Sequence, residues 1–382
     1  MLTSMDIEQK LESSNKKTNF LTSKTLPNYY FIVSLCAILI LVIVIICISS
    51  SKPEKYSPSN KEQDEGNKDD KENEGKEEED VTNLTPWEKY IKAEKYLYIW
   101  EYYTPEYILK LCQEHNFSRV YLSIGCIETF WDNYYSKEKF PASGEIGSLD
   151  YETFIKKLND INVEVELVTF LGGDPNDFSE INRVATVSKM VKSLSSKVKI
   201  KALHFDQEVG DEYSYEQLLR MYIKSNEIFP TSAILRPFWL NYKMSDLKNY
   251  FTDNNFYNNF KDCETLVDAI MKVTKFTDLM AYNQDYTVVT GYMEKLKTIA
   301  SRHPDNEAKN VIEISGEDGV PEDDTLHQRF LEDKDKFFNF VYDSSKKYGG
   351  ITIHYYETWY KTLYCVWPTI NTPYDGGQPK NC

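Results

Sequence analysis

His204, Asp206 and Glu208 lie two residues apart in the stretch Ile200-Lys-Ala-Leu-His-Phe-Asp-Gln-Glu208. In an extended strand, alternate side chains share a face. One imidazole and two carboxylates therefore point one way, and Leu203 and Phe205 point the other. Burying that polar face in an ordinary core is costly. The cost is reasonable where the end of a strand opens into a pocket. Two carboxyl groups in one pocket can divide acid and base roles, because burial and mutual repulsion push their pKa values apart.

A strand must be positioned by other elements, and the rest of the chain supplies them. From about Trp87 onward, short apolar stretches alternate with amphipathic ones. The strand candidates are Tyr96 to Trp100, Arg119 to Ile124, Val163 to Phe170, Ile200 to Phe205, Ala233 to Leu240, Asp278 to Tyr282, Val311 to Ser315 and Gly350 to Tyr355. Helix starts are marked between them. Thr104-Pro105 reads as an N-cap with proline at the first helical position. Asp150 reads as a cap, and Ser214 with Gln217 as a capping box. Eight strands alternating with helices predict an α/β fold, a (β/α)8 TIM barrel over residues 85–382. A doubly wound open sheet is the alternative, but no glycine-rich phosphate loop follows the first strand.

In such a barrel the site forms at the C-terminal ends of the strands. Those ends carry Trp100 on strand one, Glu128 and Trp131 after strand two, and His204, Asp206 and Glu208 on strand four. Strand five ends in Trp239, strand six in Tyr282 and Asn283, strand seven runs to Glu317, and strand eight carries His354 and Glu357. Carboxylates among aromatic rings suit a carbohydrate, whose C–H faces stack on indole and phenol rings. Cleaving a glycosidic bond needs an acid for the leaving oxygen and a group that stabilises an oxocarbenium-like state. Two loops add aromatics: Phe130, Trp131, Tyr134 and Tyr135 after strand two, and Tyr250, Phe251, Phe256, Tyr257 and Phe260 after strand five. Local packing over the barrel mouth would explain those loops equally well. A retaining arrangement would pair Glu208 as acid/base with Glu317 as nucleophile at a carboxyl separation of about 5 Å.

His204-Phe-Asp206-Gln-Glu208, followed by Met280-Ala-Tyr282-Asn283, resembles the motifs of the chitinase-type family 18 glycoside hydrolases. That family carries Asp-x-x-Asp-x-Asp-x-Glu at the end of strand four and Met-x-Tyr-Asp/Asn on strand six. The resemblance implies a barrel fold, with Glu208 as the acid, Asp206 orienting a substrate acetamide, and Tyr282 helping to bind that group. It also implies an N-acetylhexosamine-containing glycan as substrate. The chain departs from the pattern at Lys201 and His204, where the family has aspartates, and at His354, where it has tryptophan. Those departures open a second expectation, a catalytically silent carbohydrate-binding barrel. Catalysis is assigned to Asp206, Glu208 and Glu317, and substrate binding to Trp100, His204, Trp239, Tyr282, Asn283 and His354.

Other chemistries find less support. A metal would draw on His204, Asp206 and His354, but the His-x-His of metal-dependent barrel hydrolases is absent from strand one, so no metal and no cofactor are expected. The net charge of -16 argues against nucleic acid. None of the seven cysteines has Cys-x-x-Cys spacing.

Before the barrel, residues 1–28 read as a short polar tail. Residues 29–50 contain the apolar run Phe31 to Ile48, long enough for a transmembrane helix. Residues 51–84 are a charged, low-complexity run that cannot bury enough apolar surface to fold, and they read as a disordered linker. The sequons at Asn83 and Asn116 favour a single-pass protein with the C-terminal domain lumenal or extracellular.

Overall fold

The computed structural model describes residues 83–100, 105–126, 150–170, 179–207, 215–315, 321–356, 358, 359 and 363. The expected membrane span at 29–50 lies outside them, as do the tail and nearly all of the linker. Among the described residues no helix is long and apolar enough to cross a membrane.

Eight parallel strands close on themselves in sequence order. They are β1 (Lys95–Ile99), β2 (Phe117–Cys126), β3 (Glu164–Phe170), β4 (Ala202–Phe205), β5 (Thr231–Leu235), β6 (Phe276–Met280), β7 (Glu307–Glu313) and β8 (Ile351–His354). The seam is β1 against β8, with Lys95, Tyr96 and Leu97 opposite Ile351, Thr352 and Ile353. Helices precede the barrel and cross between its strands: α1 (Pro86–Lys92), α2 (Pro105–His115), α3 (Tyr151–Asp160), α4 (Ser179–Ser195), α5 (Tyr215–Asn226), α6 (Leu266–Val273), α7 (Tyr286–Ala300) and α8 (Lys334–Tyr348). The described residues form a (β/α)8 barrel.

Local chemistry sets the helix ends. Thr85 and Glu88 form a capping box at α1, and Thr265 and Asp268 form another at α6. The Asp150 side chain accepts from the Thr153 N–H at 3.1 Å, which caps α3. The C-terminus of α1 is closed by the buried Lys95, whose Nζ donates to the carbonyls of Tyr90 and Ala93.

The strands divide two kinds of core. Leu97, Val120, Leu122, Val165, Leu167, Leu203, Phe205, Leu235, Ile312 and Ile353 face outward and are buried under the helices. The inward face is more polar than the branched aliphatic filling usual in this fold. It holds Tyr96, Tyr98, Tyr121, Val168, Ile234 and Val311, together with buried Arg119, Glu166, His204, Ser232 and Asp278. At the lower rim Arg119 bridges Glu164, Glu166 and Glu307, while Lys201 reaches Glu164 and Glu307.

Two strands differ most from the sequence expectation, the others by no more than two residues at either end. β5 stops at Leu235, because Pro237 lacks a backbone N–H for the ladder and opens a 3-10 turn over Pro237–Asn241. β7 begins four residues earlier than expected and ends at Glu313. Both shifts change which residues stand at the barrel mouth.

Candidate active site

The upper end of the barrel opens into a cavity of about 560 Å³. Its wall includes Trp100 beyond β1, Asp206 beyond β4, Ile234 and Arg236 at β5, and Met280, Tyr282 and Asn283 at β6. Glu313 and His354, the last residues of β7 and β8, also line it, as do Phe238 and Asp324. The period-two alternation carries the strand-borne side chains but Asn283 inward, Asn283 lying one position past Tyr282.

Asp206 is held by its own backbone, whose N–H donates to the Thr169 carbonyl at 2.9 Å and extends the β3–β4 pairing by one residue. Burial raises its carboxyl above the ordinary carboxylate value, against the opposing pull of His204 and His354.

The opposite wall is a hydrogen-bonded chain. The Trp100 indole N–H donates to His354 Nε2 at 2.7 Å. His354 Nδ1 lies 2.5 Å from Glu313 Oε2. Glu313 Oε1 accepts from the N–H groups of Ile314 and Ser315 at 2.9 and 2.7 Å. Glu313 is almost fully buried, at 3% exposure, so it holds His354 while His354 and Trp100 face the cavity. The Tyr282 ring lies 5.8 Å from that of His354. Asn283 turns the chain into α7 by accepting from the Asp285 N–H.

The structure therefore brings Trp100, Asp206, Tyr282, Asn283 and His354 to one cavity. His204 and Trp239 do not reach it. His204 is fully buried one layer below Asp206, with Nε2 2.8 Å from the Tyr98 hydroxyl and Nδ1 2.8 Å from Ser232 Oγ. The metal grouping of His204 with Asp206 and His354 dissolves for the same reason: His204 Nδ1 turns instead toward Glu166 and Asp278. Trp239 is fully buried outside the barrel, in the core that its 3-10 turn shares with the helices. The expectation of an indole wall there fails because β5 ended early. The loop after strand five packs in the same core. Phe251, Tyr257 and Phe260 are buried in it, and Phe256 lies under the Arg220 guanidinium at 4.0 Å. Glu208, Glu317 and the aromatic loop after strand two lie outside the described residues.

Glu313, Arg236 and Asp324 are charged cavity residues that the strand ends expected from sequence leave out. Glu313 was masked by a strand placed four residues late, although it alternates correctly with Val311. Arg236 follows Ile234 on the inward parity but fell inside an expected strand interior. Asn83 and Asn116, the sequon asparagines, are both exposed. Asn116 starts the turn into β2 with a positive φ of 55°, and its amide donates to the Ile91 carbonyl at 3.1 Å.

No family model and no curated protein matches the chain. Several solved structures are similar to it. Concanavalin B is 14% identical, with a TM-score of 0.42 over 72% of this chain and 97% of that one. The spore cortex-lytic enzyme SleL of Bacillus cereus is 13% identical, with a TM-score of 0.41 over 70% of this chain and 71% of that one. A chitinase from Chromobacterium violaceum is 11% identical, with a TM-score of 0.34 over 58% of this chain and 68% of that one. Likeness at this level carries no inference about activity.

Proposed function

We propose that the barrel binds a glycan in the cavity at its upper end and cleaves a glycosidic bond there. The observation that supports this best is the meeting of Trp100, Asp206, Tyr282 and Asn283 around one cavity, with a buried carboxyl facing aromatic rings. Trp100 and Tyr282 offer ring faces to a pyranose, and Asn283 offers an amide to its hydroxyls. Asp206, whose carboxyl burial raises from its ordinary value, supports positive charge or an N-acetyl group in the transition state. Glu208, two residues on, is the proposed acid for the leaving oxygen. Glu313 acts as a positioning residue through His354. Glu317 stays as a proposed nucleophile in a retaining variant of this scheme. N-acetylhexosamine-containing glycans are the proposed substrate. The apolar run at 29–50 would hold the domain on the lumenal or extracellular side of a membrane.

One observation favours a second reading, a barrel that binds sugar without cleaving it. Both ring nitrogens of His204 are committed, to Tyr98 and Ser232, so no proton relay runs from that ring up to Asp206. One experiment separates the two readings. The full chain and its Glu208→Gln and Asp206→Asn variants are incubated with an oligosaccharide panel that includes chitin fragments, and products are followed by mass spectrometry. Cleavage by the wild type, lost at least a hundredfold in both variants, supports the hydrolase. Binding by all three with no product supports the binding barrel. Neither binding nor product from any of the panel defeats both readings.

A further inference from the structure

Below the cavity, three buried side chains turn toward one point. Glu166 on β3, His204 on β4 and Asp278 on β6 are at most 1% exposed. One donor atom of each lies within 4.8 Å of the others. His204 Nδ1 is 3.7 Å from Glu166 Oε2 and 3.6 Å from Asp278 Oδ2. Ser232 Oγ joins them, 2.8 Å from His204 Nδ1 and 3.3 Å from Asp278 Oδ2.

The remaining polar atom of each residue is held from outside. Arg119 donates to Glu166 Oε1 at 3.1 Å, the Tyr121 hydroxyl donates to Asp278 Oδ1 at 2.7 Å, and the Tyr98 hydroxyl bonds His204 Nε2 at 2.8 Å. Outer partners of this kind orient the ligands of protein metal sites and fix the histidine tautomer. The inner atoms are left facing one another, and Glu166 Oε2 is buried with no hydrogen-bond partner. A carboxylate oxygen without a hydrogen bond in a dry interior is expensive.

We propose that Glu166, His204 and Asp278, with Ser232 as a fourth donor, form a structural site for a divalent ion of the zinc class in the centre of the barrel. Donor atoms around a tetrahedral ion at about 2.0–2.1 Å stand about 3.3–3.4 Å apart. His204 Nδ1 stands within a few tenths of an ångström of that spacing from each carboxylate oxygen, and the donor atoms of the three residues all lie within 4.8 Å of one another. One imidazole nitrogen and carboxylate oxygens are donors such an ion accepts. Charge balance points the same way. The ion would face the carboxylates of Glu166 and Asp278 together, with Arg119 on the far side of Glu166. With no ligand position open to the cavity, the ion holds β3, β4 and β6 together rather than meeting substrate. It would enter as the chain folds.

The test is made on the purified full chain, independently of any activity. Elemental analysis after loading with Zn²⁺ should find about one ion per chain, and chelation should lower the melting temperature. Co²⁺ in its place should give the visible d–d bands of a tetrahedral centre. Glu166→Gln and Asp278→Asn, which keep the side-chain shapes, should reduce occupancy at least tenfold in protein with unchanged circular dichroism. Should either variant fail to fold, Tyr98→Phe removes only the outer partner of His204 and should still weaken binding about tenfold. A wild-type chain that takes up no stoichiometric Zn²⁺ or Co²⁺, and whose melting temperature ignores both, overturns the proposal.

Discussion

The Trp100 indole donates to His354 Nε2 across 2.7 Å, joining the end of β1 to the end of β8 over the seam where the barrel closes. An indole N–H can only donate, so Nε2 accepts and the His354 proton sits on Nδ1, aimed at Glu313 Oε2. Direction therefore runs one way along the chain, from Trp100 through His354 to Glu313.

Glu313→Gln should break that chain although it barely changes shape. The backbone N–H groups of Ile314 and Ser315 require an acceptor at the Oε1 position, so the new amide NH₂ must face His354 Nδ1–H, donor against donor. If His354 shifts its proton to Nε2, the conflict moves to the Trp100 indole. The expected cost is about 1–3 kcal/mol, read by denaturant unfolding, with a shifted Trp100 emission and weakened glycan binding. A variant as stable as the wild type, with unchanged emission, would sink this account.

The two tryptophans should report differently on a ligand. Trp100 lines the cavity, whereas Trp239 is fully buried away from it. Trp100→Phe is expected to abolish saccharide-induced fluorescence quenching. Trp239→Phe should leave the quenching intact and lower stability by about 1–2 kcal/mol through lost packing. Its indole N–H has no hydrogen-bond partner to lose. Fluorescence titration of the pair decides the matter.

The lower rim makes stability depend on acid. Burial alone would raise Glu307, but Arg119, Lys309 and Lys201 outweigh it and bring its pKa down to about 2. A depressed folded value means the stabilisation is complete above the unfolded value of about 4.3. It is lost as pH falls from there through 2. Glu307→Gln should cost about 1–2 kcal/mol at pH 7, discounted because the group is partly exposed. The difference from wild type should close as pH approaches 2. Unfolding at a series of pH values tests this, and a gap independent of pH would count against it.

Gly350 is a steric requirement of the barrel floor. Its φ is +103°, and a Cβ placed there would lie 2.7 Å from ring carbons of Tyr96. Gly350→Ala should cost about 2–4 kcal/mol, from overpacking plus backbone strain. Gly349→Ala should cost only about 1 kcal/mol, since only Lys309 Nζ comes near, at 3.4 Å. Tyr96→Phe should not rescue Gly350→Ala, because the ring carbons remain. Thermal unfolding of these variants is the check.

Much of this architecture can be read along the chain. The parity of Leu203 and Phe205 against His204 and Asp206 separates an outward apolar face from an inward polar one without reference to any neighbour, because strand alternation is local. The same holds for the Asp150 cap of α3. Glu166 and Asp278 were equally visible as acids on the inward parity of apolar strands, yet parity alone does not say which acids meet. Strand ends are read less surely. The apolar residues Phe238 to Leu240 look like strand, and only the missing N–H of Pro237 and the competing 3-10 turn end β5 at Leu235.

The sequence by itself determined the eightfold alternation, the inward direction of the strand-four acid and the supply of aromatic rings. These depend on periods of two and 3.6 residues and on capping groups a few positions apart. Tertiary structure alone decided depth and partnership. It set His204 one layer beneath Asp206, faced it toward acids from β3 and β6, moved Trp239 out of the cavity and seated Glu313 behind His354. The physical reason is barrel closure. The register of each strand against its neighbours fixes the height of every inward side chain, and that register arises from pairings between residues tens to hundreds of positions apart.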